Sequence, residues 1–333
     1  MKLRLSIVTC LILAAAIAFP LGAPAQNTPP PPVAVISLVW GVVTLKHQNE
    51  DYKPARWLDA IFPGDQVKTA GPGSKLLITY FFDNHQEVLS MDSEARVDPT
   101  GLTSLSGPAI RKDPARNPFS NGVQSPFVYS HRLIQADFKG ADDPTAMDRE
   151  NAYIQARVRS VDPITFAWLP QKGVPNYQLQ IWDANNSLMM GFDSKTPKVK
   201  LKPAQSNKLF TGTVYTWGVT APGNATVVPN YQFMYMSNPQ NRWYTETVNN
   251  FQSLRKRGQL QRSDYTDYLL ISAQFVRVDD VLNLAREIAA MDTKNPGAFR
   301  ALTRAYLAKG CPAHARQAYD TEIQLGGEDP IYP

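Results

Sequence analysis

Residues 61–98 read IFPGDQVKTAGPGSKLLITYFFDNHQEVLSMDSEARVD, and this stretch decides how the N-terminal part folds. Pro63-Gly64-Asp65 forms a turn, in which Pro63 presets φ and Gly64 supplies the positive φ that a type II turn needs next. A short strand to Thr69 follows, then a second turn over Gly71-Pro72-Gly73-Ser74, then a strongly apolar strand over residues 75–82. Asp83-Asn84 reverses the chain and residues 86–91 return, the pattern of a hairpin. Leu76, Ile78, Tyr80 and Phe82 share one face of the apolar strand; Leu77 and Phe81 share the other. With both faces apolar, both are expected to be covered, as when a small sheet closes on itself.

Upstream, residues 33–46 (VAVISLVWGVVTLK) form another β-rich run, and Gly41 in its middle predicts a bulge or a sharp bend. Residues 47–54 are polar and read as a loop, after which Trp57-Leu58 is expected to pack back on the sheet. The order Gly41-x-Val43, Trp57-Leu58, Pro63-Gly64-Asp65-x-Val67-x-Thr69, Gly73-Ser74, residues 76–82 and Asp83-Asn84 resembles the FecR domain. The resemblance covers residues 33–105 and implies a periplasmic β-domain; the matching positions are turn and core residues and imply no catalytic site. Asn84 stands where the family has Gly, and Asn tolerates positive φ better than other residues with a side chain.

The 333 residues suffice for two or three domains. The formal charge of +5 comes without dense Lys/Arg runs, which argues against a nucleic-acid partner. Lys2 and Arg4, an apolar run over residues 5–19, and Ala23-Pro24-Ala25 read as a signal peptide over residues 1–25, cleaved to leave no stable membrane span. The alternative is an uncleaved anchor. Cys10 lies inside the signal, so after cleavage Cys311 is the one remaining cysteine and reads as a packed residue. Residues 26–32 are a Pro-rich spacer.

Residues 106–151 hold Pro108, Pro114, Pro118, Pro126 and Pro144 and read as a linker or insertion, with one strand at 127–134. Over residues 152–240 alternating runs return, and the region resembles the immunoglobulin or fibronectin type III sandwich. That resemblance implies Trp168 as the buried core tryptophan and Tyr215 as the corner tyrosine. From residue 243 helical spacing begins, with helices predicted over 244–256, 263–277, 281–291, 297–309 and 313–325. Phe299, Leu302, Tyr306, Gly310, Ala315 and Tyr319 follow tetratricopeptide spacing, with a looser repeat before them. Two repeats are fewer than the ~3 a free-standing solenoid needs. Residues 243–333 are therefore expected to fold poorly alone and to lean on the sandwich, against residues 231–235, or on a partner. The fold class is multidomain: two all-β domains followed by an α-helical hairpin-repeat tail.

The chemistry is sparse. His47, His85, His131 and His314 are not at metal-ligand spacing, and neither a nucleophile elbow nor a phosphate-binding Gly loop occurs. Asp83, Glu87, Asp92 and Glu94 lie at a hairpin end, where acids are ordinary solvated residues. No enzyme activity, cofactor or metal is expected. Arg255-Lys256-Arg257 with Arg262 complements a helix dipole. The candidate interaction surface is Tyr231, Phe233, Tyr235, Phe299 and Tyr306. The first three alternate with Gln232 and Met234, so their aromatic face is either core or a platform for glycan rings.

The expected function is that of a non-enzymatic exported protein of the periplasm or cell envelope, a binding or scaffolding module of FecR-domain type. Its C-terminal helices are expected to receive a protein partner. One alternative is a peptidoglycan- or glycan-binding envelope protein. Another is a FecR-type transmembrane signalling regulator, disfavoured because only residues 1–4 precede the apolar run and these cannot form a sigma-binding helix pair.

Overall fold

The computed structural model describes residues 30–114, 157–159, 163–223, 226–275 and 277–327. The expected signal peptide, and most of the expected linker with its strand at 127–134, lie outside the described residues. The chain has a β-rich N-terminal part with several sheets, followed by a helical C-terminal part.

The first sheet is built on strands β1 (Ala34–Lys46) and β4 (Gln66–Tyr80), which pair antiparallel along their whole lengths. The other strands attach to these two. β2 (Lys53–Pro54) and β3 (Ala60–Ile61) pair β1, while β5 (Gln86–Leu89) and β6 (Ser93–Asp98) pair β4. β7 (Gly101–Ser106) pairs β6, and β8 (Arg111–Asp113) pairs β5, so the sheet reaches into the stretch expected to be linker. One turn is corrected. Gly71 to Ser74 do not end a strand; they bulge out of a continuous β4 opposite Gly41. Gly71 and Gly73 both have φ +78° and Gly41 has φ +70°, which glycine adopts without steric cost. A side chain on Gly41 would stand 2.5 Å from the Ser74 hydroxyl. That hydroxyl accepts the Val42 N–H at 3.0 Å, so the two bulges lock together.

Alternation along β4 feeds two different cores. Leu76, Ile78 and Tyr80 point into a core closed by Ala34, Ile36, Val67, Leu89, Ala95 and Val97. Phe81, with Val35, Trp57 and Leu58, points the other way, into the helical part. Phe82 is exposed. Trp57-Leu58 packs back on its own sheet, beside Val35 and Phe81 and with the Leu58 N–H on the Ile36 carbonyl at 2.9 Å, and is covered there by helix side chains, which leave Trp57 2% exposed.

The middle part has a two-stranded sheet, β10 (Thr165–Ala167) with β13 (Lys198–Lys200). A five-stranded sheet has the order β12-β11-β14-β15-β9. In it β11 is Tyr177–Trp182, β12 Leu188–Ser194, β14 Val214–Thr220 and β15 Thr226–Tyr235. β9 (Arg157–Val158) runs parallel to β15. One core joins the sheets through Phe166, Trp168, Leu179, Ile181, Tyr215, Trp217 and Phe233. The Tyr215 hydroxyl oxygen accepts the Phe210 N–H at 2.7 Å.

After the short helix α1 (Pro203–Ser206) within the β region, five helices complete the described chain. They are α2 (Asn238–Lys256), α3 (Arg262–Gln274), α4 (Val278–Met291), α5 (Pro296–Lys309) and α6 (Pro312–Gln324). Each starts within six residues of its expected position and stops within three. Ser237 caps α2 reciprocally with Gln240, and Gly310 ends α5 at φ +77°.

The helices rest on the first sheet, correcting the expectation that they lean on residues 231–235. Trp57 donates its indole N–H to the Thr266 hydroxyl at 2.8 Å, and Asn295 donates to the Trp57 carbonyl at 2.9 Å. Asn84 (φ +58°) and Gln274 exchange two amide hydrogen bonds, at 3.0 and 2.9 Å. Gln86 donates to Asp267 at 2.7 Å. The Arg262 guanidinium lies over the Trp57 ring, 4.9 Å from its centroid. Leu58 has φ +68°, uncommon for a bulky residue, and Gly297 of α5 lies directly against it.

A Cβ on Gly297 would meet the Leu58 Cβ and carbonyl oxygen at 2.9 Å. Helix propensity alone favours alanine over glycine by ~1 kcal/mol. Gly297→Ala is nonetheless expected to lower the melting temperature, because backbone cannot yield as a flexible side chain does. Trp57→Ala is expected to cost about 3–5 kcal/mol. Circular dichroism and tryptophan fluorescence should show the first sheet and the helices losing structure together; independent transitions would contradict the shared core.

Candidate functional site

A cleft of about 210 Å³ opens where the first sheet meets the last helical pair. Leu45, Pro54, Ala60 and Pro296 give its apolar surface, and His47, Lys53, Arg56, Asp59 and Arg300 its polar one. Gly326 and Gly327, just past the end of α6, complete the wall. A side chain at Gly327 would meet Glu322 and Pro296 below 3.0 Å, so bare backbone is required there.

Each polar group has a local reason for its position. Asp65, from the Pro-Gly-Asp turn, is buried; its Oδ2 accepts the Phe62 N–H at 2.8 Å and bonds His47 Nδ1 at 2.8 Å. That pair fixes the imidazole plane and leaves Nε2 as the open nitrogen. Burial opposes a charge on His47, but the Asp65 hydrogen bond and charge, with Glu50 and Asp59, outweigh it and raise the pKa above 6.5. Burial also raises the pKa of Asp59, opposed by the Arg56 N–H that it accepts at 2.7 Å and by Arg300, Arg56 and His47. Arg300 is 6% exposed and donates to Glu322 at 2.7 Å, a buried pair between α5 and α6. The Arg56 side chain is exposed and makes no hydrogen bond or ion pair among the described residues.

A second titratable set lies inside the first sheet. His85 Nδ1 is 2.5 Å from Asp83 Oδ1, and its Nε2 is 3.5 Å from Glu87 Oε1. The Tyr80 ring stacks on His85 at 4.5 Å. The other Glu87 oxygen accepts the Leu102 N–H, and Lys112 stands 3.5 Å from the first. His85 and Glu87 are both buried, so this set belongs to the sheet's interior rather than to an open site.

The five candidate surface residues are not brought together. Phe233 and Tyr235 are 2% and 6% exposed, inside the core of the middle part, so these rings are closed to a glycan. Tyr231 is half-buried beside Trp217, at 5.8 Å between ring centroids. Phe299 is half-buried against the helical core. Tyr306 is sandwiched by its own neighbours, with His314 stacked at 5.0 Å and the Arg286 guanidinium 5.3 Å from the ring centre. Cys311 is fully buried at the start of α6. Among the described residues no group of three or more His, Cys, Asp or Glu is arranged to hold a metal, and no helix is long and apolar enough to cross a membrane.

The cleft was not visible in the sequence. His47 has no ligand-spaced neighbour, and Arg56 and Arg300 lie far apart in the chain. The one local signal was Asp65, whose turn brings its carboxylate to the end of β1.

The His85 set gives a pH dependence. Burial opposes charge on both groups, but Glu87 and Asp83 raise the His85 pKa above 6.5, while His85, the Leu102 N–H and Lys112 lower that of Glu87 below 4.5. The stabilisation from His85 is complete below 6.5 and lost as pH rises through its raised value. That from Glu87 is complete above 4.5 and lost as pH falls through its lowered value. Melting temperatures are thus expected to be highest between these limits. His85→Gln should remove part of the decline on the alkaline side and His47→Gln the rest; a flat profile between about pH 5 and pH 8 in the unsubstituted protein would contradict this.

Compared with models of known protein families and with curated proteins, the sequence matches none.

Proposed function

We propose that the chain is a non-enzymatic exported protein of the cell envelope, of FecR-domain type, acting as a binding or scaffolding module. Residues 33–105 are its FecR-like β-domain, 152–240 an immunoglobulin- or fibronectin-like sandwich, and 243–333 tetratricopeptide-like helices. The reading is carried by one observation: Val35, Trp57, Leu58 and Phe81 of the first sheet share a single hydrophobic core with α2 to α5. Such a seam fixes the helices relative to the sheet, so a partner meets a rigid surface built from both. Short helical arrays of this kind serve protein binding by presenting one helix face while the other is buried. The bond between Tyr215 and the Phe210 N–H supports the sandwich reading of the middle part, because a corner tyrosine bonds backbone a few residues upstream.

The test is to express the full chain in an exporting bacterial host, fractionate, sequence the N-terminus and identify partners captured by cross-linking. The expected outcome is a mature start at Gln26, recovery from the envelope fraction, and a protein partner lost with Gly310→Pro but kept by an unrelated surface variant. Retention in the cytoplasm with Met1 intact would overturn the export reading. Release of sugar from purified sacculi that disappears with Asp83→Asn would overturn the non-enzymatic one.

A further inference from the structure

The cleft between β1, β2, β3 and α5 has the groups of an anion receptor. Lys53, Arg56, Arg300 and His47 line it, against the single carboxylate of Asp59. Most of this charge is already used: Glu50 is 3.3 Å from Lys53, Glu322 holds Arg300, and Asp65 holds His47. Two donors stay open, the Arg56 guanidinium and His47 Nε2. They flank an apolar wall of Pro54, Ala60 and Pro296. The volume of about 210 Å³ falls below the ~300–1,000 Å³ of sites for drug-sized ligands, so the cleft suits an end group rather than a whole molecule.

We propose that this cleft binds a small carboxylate monoanion, the free carboxyl end of a peptide, through the Arg56 guanidinium and His47 Nε2, with Pro54, Ala60 and Pro296 against its neighbouring apolar atoms. A guanidinium matches a carboxylate with two parallel N–H···O bonds. Asp59 sets the charge limit, since a dianion would be repelled by a carboxylate in the same cleft. His47 sets the pH range. Facing it are Asp65 and the Phe62 ring on one side, and Glu50, Asp59, Lys53 and Arg56 around it. With Nδ1 on Asp65, a neutral ring presents Nε2 as an acceptor and repels a carboxylate; a protonated ring presents it as a donor. Protonation of Asp59 at lower pH removes the one negative charge lining the cleft, so both groups move affinity the same way. A peptide carboxyl, with an ordinary pKa of about 3.3–3.7, stays ionised through this range.

The experiment is calorimetric titration of the full chain with N-acetyl-alanyl-alanine, its C-terminal amide and inorganic phosphate, at about pH 5.5 and pH 8. Glu328 and Asp329, two acids, follow Gly327 in the sequence. The same titrations are therefore run in a Glu328→Gln/Asp329→Asn background. The expected result is saturable binding of the acid, at least about tenfold tighter at the lower pH, in one background or both. The amide should not bind, and at the higher pH, where inorganic phosphate is mainly a dianion, phosphate should bind more weakly than the acid. Arg56→Ala should weaken the acid by at least about tenfold, with Arg56→Lys intermediate, and His47→Gln should reduce the pH dependence to the part that Asp59 contributes, all with unchanged circular dichroism. Equal binding of acid and amide, no effect of Arg56→Ala, phosphate binding as tight as the acid at the higher pH, or no saturable binding in either background would overturn the proposal. A partner captured from the envelope without carboxylate binding would remove this site and leave the scaffold reading standing.

Discussion

The Trp57-Leu58 corner holds the two ends of the described chain together. Leu58 sits at φ +68° with its backbone against Gly297 of α5. A bulky residue in that region costs on the order of 1–3 kcal/mol. Full burial of a leucine side chain contributes about 1.5–3 kcal/mol. The two are of the same size, so the corner is stable only while the helix covers it. Trp57 makes the dependence mutual: its ring is packed among helix side chains, its indole N–H bonds Thr266, and its carbonyl takes a hydrogen bond from Asn295. The helical core is completed only by Val35, Trp57, Leu58 and Phe81 of the first sheet, which closes a second core of its own on its other face.

Polar groups give this seam its register. The Asn84–Gln274 pair exchanges two hydrogen bonds, and Gln86 reaches Asp267. Each such bond adds only about 0.5–1.5 kcal/mol net, but leaving a buried amide unpaired costs about 1–3 kcal/mol. A helix docked one turn out of register would lose the first and incur the second. Asn84 has two tasks here. It takes the positive φ that the turn after β4 requires, and its amide anchors α3, which a glycine at that position could not do.

The two histidine sets differ in what they face. His85 lies inside the sheet, between acids that compensate it, and couples the fold to pH. His47 is held by a buried acid on one nitrogen and opens to a cleft on the other. The same pairing of imidazole with carboxylate is thus internal structure at one place and available chemistry at the other. The difference comes from Pro296 and Arg300 of α5 with Gly326 and Gly327 after α6, which among the described residues form a wall of the cleft beside His47.

Local patterns in the sequence determined the elements. Apolar spacing located the five helices, because a helix returns every third or fourth side chain to one face. Alternation located the strands and divided Leu76, Ile78 and Tyr80 from Phe81, because a strand turns successive side chains to opposite faces, whereas Phe82, expected with the first three, lies beyond the end of β4 and is exposed. Tertiary structure decided what each face met. Gly71 to Ser74 carry turn residues, yet became a bulge because β1 continues pairing on both sides of them. The aromatic face of β15 went to the core through its pairing with β14. Trp57 bonds a residue 209 positions away, and Arg56 and Arg300 line one cleft. No local pattern specifies such pairs, because they arise only when separate apolar surfaces find each other and exclude water.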